Sequence, residues 1–139
     1  MDIIGTINMA GHAATARDIR RFVGQRLMAA DLGLDAETLG DIELCVDELV
    51  ANAVAHTFSG CGGRVTTLIE IGCGVVRISV VDDGAAQTKP HVRTELLGEG
   101  GRGLRLVEEL SSRWGTDGRP DGRGEVWVEF RVPAALHRS

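Results

Sequence analysis

Apolar residues recur at helical spacing in three stretches of this chain and at every second position in three others, so the sequence alternates between helix and strand periods. Over residues 15–30, Ile19, Phe22, Val23 and Leu27 form one stripe, with Arg17, Arg20, Arg21 and Arg26 elsewhere on the surface, which predicts an amphipathic helix. Asp31-Leu32-Gly33-Leu34-Asp35 breaks the pattern. A second helix is expected from there to about residue 57, because Ile42, Cys45, Val46, Leu49, Val50, Ala53 and Val54 repeat at i, i+3 and i+4. Glycines 60, 62 and 63 end this helical half.

Residues 65–71 and 75–81 then read as strands joined by Gly72-Cys73-Gly74, a tight hairpin. Val76, Ile78 and Val80 share one face of the second strand and Arg77 and Ser79 the other, the pattern of a sheet covered by helices on one side only. Residues 85–101 have no sustained period and are long for a loop, which marks a functional lid. A third helix is expected over residues 101–112, with Leu104, Val107, Leu110 and Ser111 at its intervals, and Trp114 opens a short strand. After a Gly, Pro and Asp turn over residues 117–124, Val126, Val128, Phe130 and Val132 alternate with Trp127, Glu129 and Arg131 in a strand stopped by Pro133. Residues 2–9 alternate imperfectly, as an edge strand would. The order predicts one α/β two-layer sandwich, residues 1–139, whose sheet is mixed but mostly antiparallel.

Composition narrows the class. With 139 residues, 43% hydrophobic and 25% charged, the chain supports a single core. A net charge of −5, with 15 basic residues dispersed, argues against a nucleic-acid partner, which needs clustered Lys and Arg. No apolar run approaches the ~20 residues of a membrane span, and Asp2 with no basic region after it does not resemble a signal peptide; a cytoplasmic, membrane-free protein is expected. Cys45, Cys61 and Cys73 have neither a C-x-x-C pairing nor metal-ligand spacing, so they are expected to be reduced thiols, Cys45 in the core.

The candidate chemistry starts at Glu48 and Asn52. A carboxylate and a carboxamide one helical turn apart lie on the same ridge, on the flank of the apolar stripe, where both can aim at a phosphate-bound metal and its neighbouring nucleophile. Alone, they read more readily as a solvated charge and a surface amide. Asp82-Asp83-Gly84 alone could simply end a strand. Gly98-x-Gly100-x-x-Gly103 matches the dinucleotide fingerprint in letters but not in context, since the long segment 85–101 separates it from the preceding strand. What remains is a set of glycines before a helix N-terminus, where backbone N–H groups and the helix dipole attract an anion. His56 follows Asn52 by four residues and reads better as a helix C-terminal histidine than as a ligand.

Taken together, Glu48 with Asn52, then Asp82-x-Gly84, then Gly101-x-Gly103-Leu104 resemble the N, G1 and G2 boxes of the GHKL, or Bergerat-fold, ATPases in order and approximate spacing. Gly101-Arg102-Gly103-Leu104-Arg105-Leu106-Val107 with Trp114-Gly115 resembles the anti-sigma-factor serine kinases within that superfamily, the actinobacterial members above all. The resemblance covers nearly the whole chain and implies the Bergerat fold with ATP and Mg²⁺ as cofactors. It makes Glu48 the general base, Asn52 the Mg²⁺ ligand and Asp82 the adenine-recognition carboxylate, with Gly84 letting the backbone pass close to the base. Gly100, Gly101, Gly103 and Leu104 belong to the phosphate-binding lid and helix, and Arg102 either approaches a phosphate or decorates the lid. Two positions depart from the family: Ala86 stands for the second glycine of the G1 box, and the family's adenine-assisting threonine near the last strand corresponds to Glu125.

The function this implies is an ATP-binding anti-sigma factor with serine kinase activity. Such a protein sequesters a sigma factor, phosphorylates an anti-anti-sigma (STAS-type) antagonist and forms a homodimer. The alternative is a catalytically inactive module, with or without nucleotide, that regulates a partner. A detached histidine-kinase module fits less well, because no dimerisation helix carrying a phospho-acceptor histidine is present in the sequence.

Overall fold

In a computed structural model that describes residues 1–56, 62–83, 101–119 and 121–133, strand β1 (Asp2–Ala10) leads into helices α1 (Thr15–Ala30) and α2 (Ala36–His56). The hairpin β2 (Arg64–Gly72) and β3 (Val75–Asp82) follows, then helix α3 (Gly101–Leu110) and the hairpin β4 (Arg113–Gly118) and β5 (Gly124–Arg131). The five strands form one sheet in the order β1-β2-β3-β5-β4, and every neighbouring pair is antiparallel. This corrects the expectation of a mixed sheet. The crossover through α3 makes β4 parallel to β3, but β5 folds back between them and converts both contacts to antiparallel pairs.

Local chemistry accounts for the boundaries. Asp35 accepts from Thr38 N at 2.8 Å ahead of α2, satisfying one of the amides a helix start leaves open, and these bonds hold its carboxyl below the ordinary value. Helix α1 ends where Asp31 turns left-handed, at φ 55°, and donates its N–H to Met28 O. Thr15 ties β1 to α1, its hydroxyl donating to Ala10 O at 2.5 Å and accepting from His12 N at 2.9 Å. In the β2–β3 turn Cys73 and Gly74 both take positive φ, 54° and 78°, the geometry that matches strand twist in a two-residue hairpin.

The core lies between the helices and one face of the sheet. Ile19, Val23, Ile42, Val46 and Val50 from the helices meet Val65, Ile69, Val76, Ile78 and Val128 from the strands, all fully buried. Leu104 and Val107 anchor α3 in the same core, where α3 packs on α2. The opposite face carries polar residues that are nevertheless covered. Glu129 is 4% exposed because Arg77 and Arg113 clasp it, at 2.7 Å and 3.4 Å. Arg77 also lies 4.1 Å from the centre of the Trp127 ring. Among the described residues no helix is long and apolar enough to cross a membrane.

Candidate functional site

Helix α2 positions the first pair. Its apolar stripe is pressed against the sheet, so Glu48 and Asn52 on the flank are half-buried at the rim of the helix layer, as their spacing predicts. Cys45, one turn before Glu48, is fully buried, and desolvation pushes its thiol up to about 12, with the carboxylates of Asp41 and Glu48 adding to the shift. Arg20 on α1 holds Asp47 at 3.3 Å and fixes the neighbouring flank of α2.

The central strand β3, against which α2 packs, supplies the second element. Its last residue, Asp82, is 2% exposed and shares the helix-facing side with Val76, Ile78 and Val80. A carboxylate buried at a strand end needs donors. One is the backbone N–H of Gly124, the residue directly opposite in β5, at 3.3 Å from Oδ1. The next residue, Asp83, points elsewhere and accepts from Arg64 N at 2.6 Å, while the Arg64 side chain grips Asn8 on β1. Asp82 is therefore presented to the helix side and Asp83 closes the end of the β2–β3 hairpin.

The register corrects one sequence-based assignment. Glu125 pairs with Val81, so its side chain leaves from the face opposite Asp82, where it meets Arg119 at 2.8 Å. The position that faces Asp82 across β5 is Gly124, which offers a backbone donor and no side chain. Counting from the final strand misses this by one residue, and in a strand one residue is the difference between two faces.

Gly101 and Gly103 fall in the first turn of α3, the helix that packs on α2, so backbone amides of a helix start belong to the same half of the molecule as Glu48 and Asn52. Leu104 is buried, 7% exposed, and acts as an anchor of that turn. Gly84, Ala86, Gly98, Gly100, Cys61, residues 85–100 as the expected lid, and the side chains of Arg102 and His56 lie outside the described residues. A residue that sequence reasoning missed is Thr67 on β2. It is fully buried on the helix-facing side, and its hydroxyl has no hydrogen-bond partner. Its alternation with Val65 and Ile69 was the available signal.

Among the described residues no group of three or more His, Cys, Asp or Glu side chains is placed to hold a metal.

An amide and a carboxylate lie on the helix that packs over a fully antiparallel sheet, and a buried aspartate ends the central strand, in a two-layer α/β fold. The profile of the histidine kinase-like ATPase domain matches residues 9–129, and the chain belongs to that family. ATP is accordingly the ligand class that the family implies. A chain of the SiaB–SiaC complex from Pseudomonas aeruginosa has a similar fold, with a TM-score of 0.61 and 16% identity over 94% of this chain and 91% of that one. Among curated proteins there is no significant match.

Proposed function

We propose that this protein is an ATP-dependent serine kinase of the anti-sigma type, which holds a sigma factor in its nucleotide-bound state and phosphorylates a small STAS-type antagonist. The observation that carries this reading is the half-buried Glu48–Asn52 pair on the helix that packs over the strand ending in buried Asp82. Asp82 accepts a hydrogen bond from the exocyclic amine of adenine. Guanine, with a carbonyl there, would set acceptor against acceptor, and a buried mismatch of that kind is costly. The amides of the first turn of α3 receive the phosphates. Asn52 Oδ1 would hold Mg²⁺, which would supply neutralisation of the phosphate charge.

Glu48 accepts the proton of the attacking serine hydroxyl. The serine oxygen forms the new bond to the γ-phosphorus, the bond from that phosphorus to the β–γ bridging oxygen breaks, and ADP leaves with the electron pair. The work asked of the protein is alignment and charge neutralisation. The phosphate adds roughly −1.5 to −2 charge to the antagonist, enough to change its docking to an acidic protein; this chain carries −5. A partner-binding role is supported by the solved relative, whose fold occurs in a two-protein complex. The family resemblance implies a homodimer.

The test is Glu48→Gln with labelled ATP and candidate antagonists. General-base loss predicts a fall in transfer of about 100-fold or more with ATP affinity kept. Undiminished transfer would remove Glu48 from the role, and a wild type that binds ATP without phosphorylating any antagonist would leave a nucleotide-dependent regulator without catalysis.

A further inference from the structure

Thr67 carries the one buried side-chain polar atom without a partner among the described residues. A hydroxyl taken out of water and left unpaired costs free energy, so such a group calls for a reason beyond packing, and valine would fill the same space without the penalty. Its position supplies one. Thr67 lies opposite Val80, two residues before Asp82 on the same face of β3, which puts it one diagonal step from the carboxylate. In an antiparallel pair that step is about 7–8 Å between Cα atoms, close enough for one flat ring to touch both side chains. On the other flank of Asp82 the facing residue is Gly124, which has no side chain to offer.

Resting on the reading of Asp82 given above, we propose that Thr67 is a base-recognition residue: its hydroxyl donates to a ring nitrogen beside the exocyclic amine of adenine, N1 or N7, directly or through one water. Asp82 and Thr67 then read the donor and the acceptor of the adenine edge from two adjacent strands. The orphan hydroxyl of the apo protein is satisfied when the base enters, and the polar atom left unpaired in the core is part of the binding site. Glu125, which points to the far side of the sheet, has no part in this.

The experiment is calorimetric titration of Mg·ATP into the wild type, Thr67→Val, Thr67→Ser and Asp82→Asn, each checked for folding by thermal melting. Loss of one hydrogen bond predicts a Kd raised about five- to tenfold in Thr67→Val, with the apo melting temperature unchanged or higher. Thr67→Ser, which keeps the hydroxyl, retains affinity. Titration with 1-deaza-ATP and 7-deaza-ATP identifies the ring nitrogen: one of them binds the wild type more weakly than ATP does, and Thr67→Val no longer distinguishes that analogue from ATP. An unchanged Kd for Thr67→Val while Asp82→Asn loses binding overturns the proposal and leaves the Asp82 site standing. Equal losses in the Val and Ser variants also overturn it, by assigning the effect to packing. A folded wild type that does not bind ATP overturns the reading of the site as well.

Discussion

Cys45, in the middle of α2, shows how far surroundings decide a side chain's chemistry. It is fully buried, and its thiol is pushed up to about 12 from 9.0 by desolvation and the nearby Asp41 and Glu48 carboxylates. In the unfolded chain the thiol ionises near its ordinary value. The folded value is the higher, so the contribution of the neutral thiol is intact below pH 9.0 and is lost as pH rises toward about 12. Thermal melts of the wild type and Cys45→Ala should therefore converge above pH 9, at up to about 1.4 kcal/mol per pH unit, and parallel curves would contradict the burial argument. The inertness of Cys45 was legible from its place in the apolar repeat. The partner of Asp82 was not: Gly124 and Glu125 are adjacent in sequence, and only the register of β3 against β5 tells which one shares the face of Asp82. Thr67 escaped for the opposite reason. Threonine is at home in strands, so its letter carried no signal until its hydroxyl was found buried and unpartnered.

At the scale of elements, the strong periods were reliable. The stripe from Ile19 to Leu27 gives α1, and the alternation of Val76, Ile78 and Val80 gives the helix-facing side of β3. The polar face of the sheet was harder to read. Ser79 and Glu129 alternate outward as expected yet are 3% and 4% exposed; Arg77 and Arg113 clasp Glu129, and Ser79 lies opposite Trp127 in the register. Arg77 and Arg113 flank the Trp127 ring at 4.1 Å and 5.4 Å, and the ring lies directly on Gly115. A Cβ at position 115 would come within 2.6 Å of Trp127 Cζ2, so Gly115 is required by close approach rather than by backbone conformation. Gly115→Ala should lower stability by about 1–3 kcal/mol, the usual cost of overpacking, in a denaturant melt. A neutral result would mean that the ring shifts freely and that the stack on this face contributes little.

For the whole molecule, pattern alone foresaw two layers with helices on one side, and missed that the sheet is antiparallel throughout. Strand identity follows from local alternation, whereas strand order depends on which edge the final hairpin joins; here β5 enters between β3 and β4. That insertion brings Gly124 against Asp82, and the two line the inner wall of the proposed site. The fold in turn makes sense of the distance in sequence between Glu48, Asn52 and Asp82, since α2 is the helix laid over the central strand. Asp82 and this wall are proposed to bind adenine. Asp82→Asn tests it with little change in shape: the amide oxygen can still accept from Gly124 N–H, but the amino group that replaces the other oxygen would oppose the amine of the base. Calorimetric titration of Mg·ATP should give saturable binding to the wild type and a loss of at least about tenfold in Asp82→Asn, with both proteins folded. Equal affinity in the two proteins, or no binding to a folded wild type, would mean that Asp82 does not read adenine.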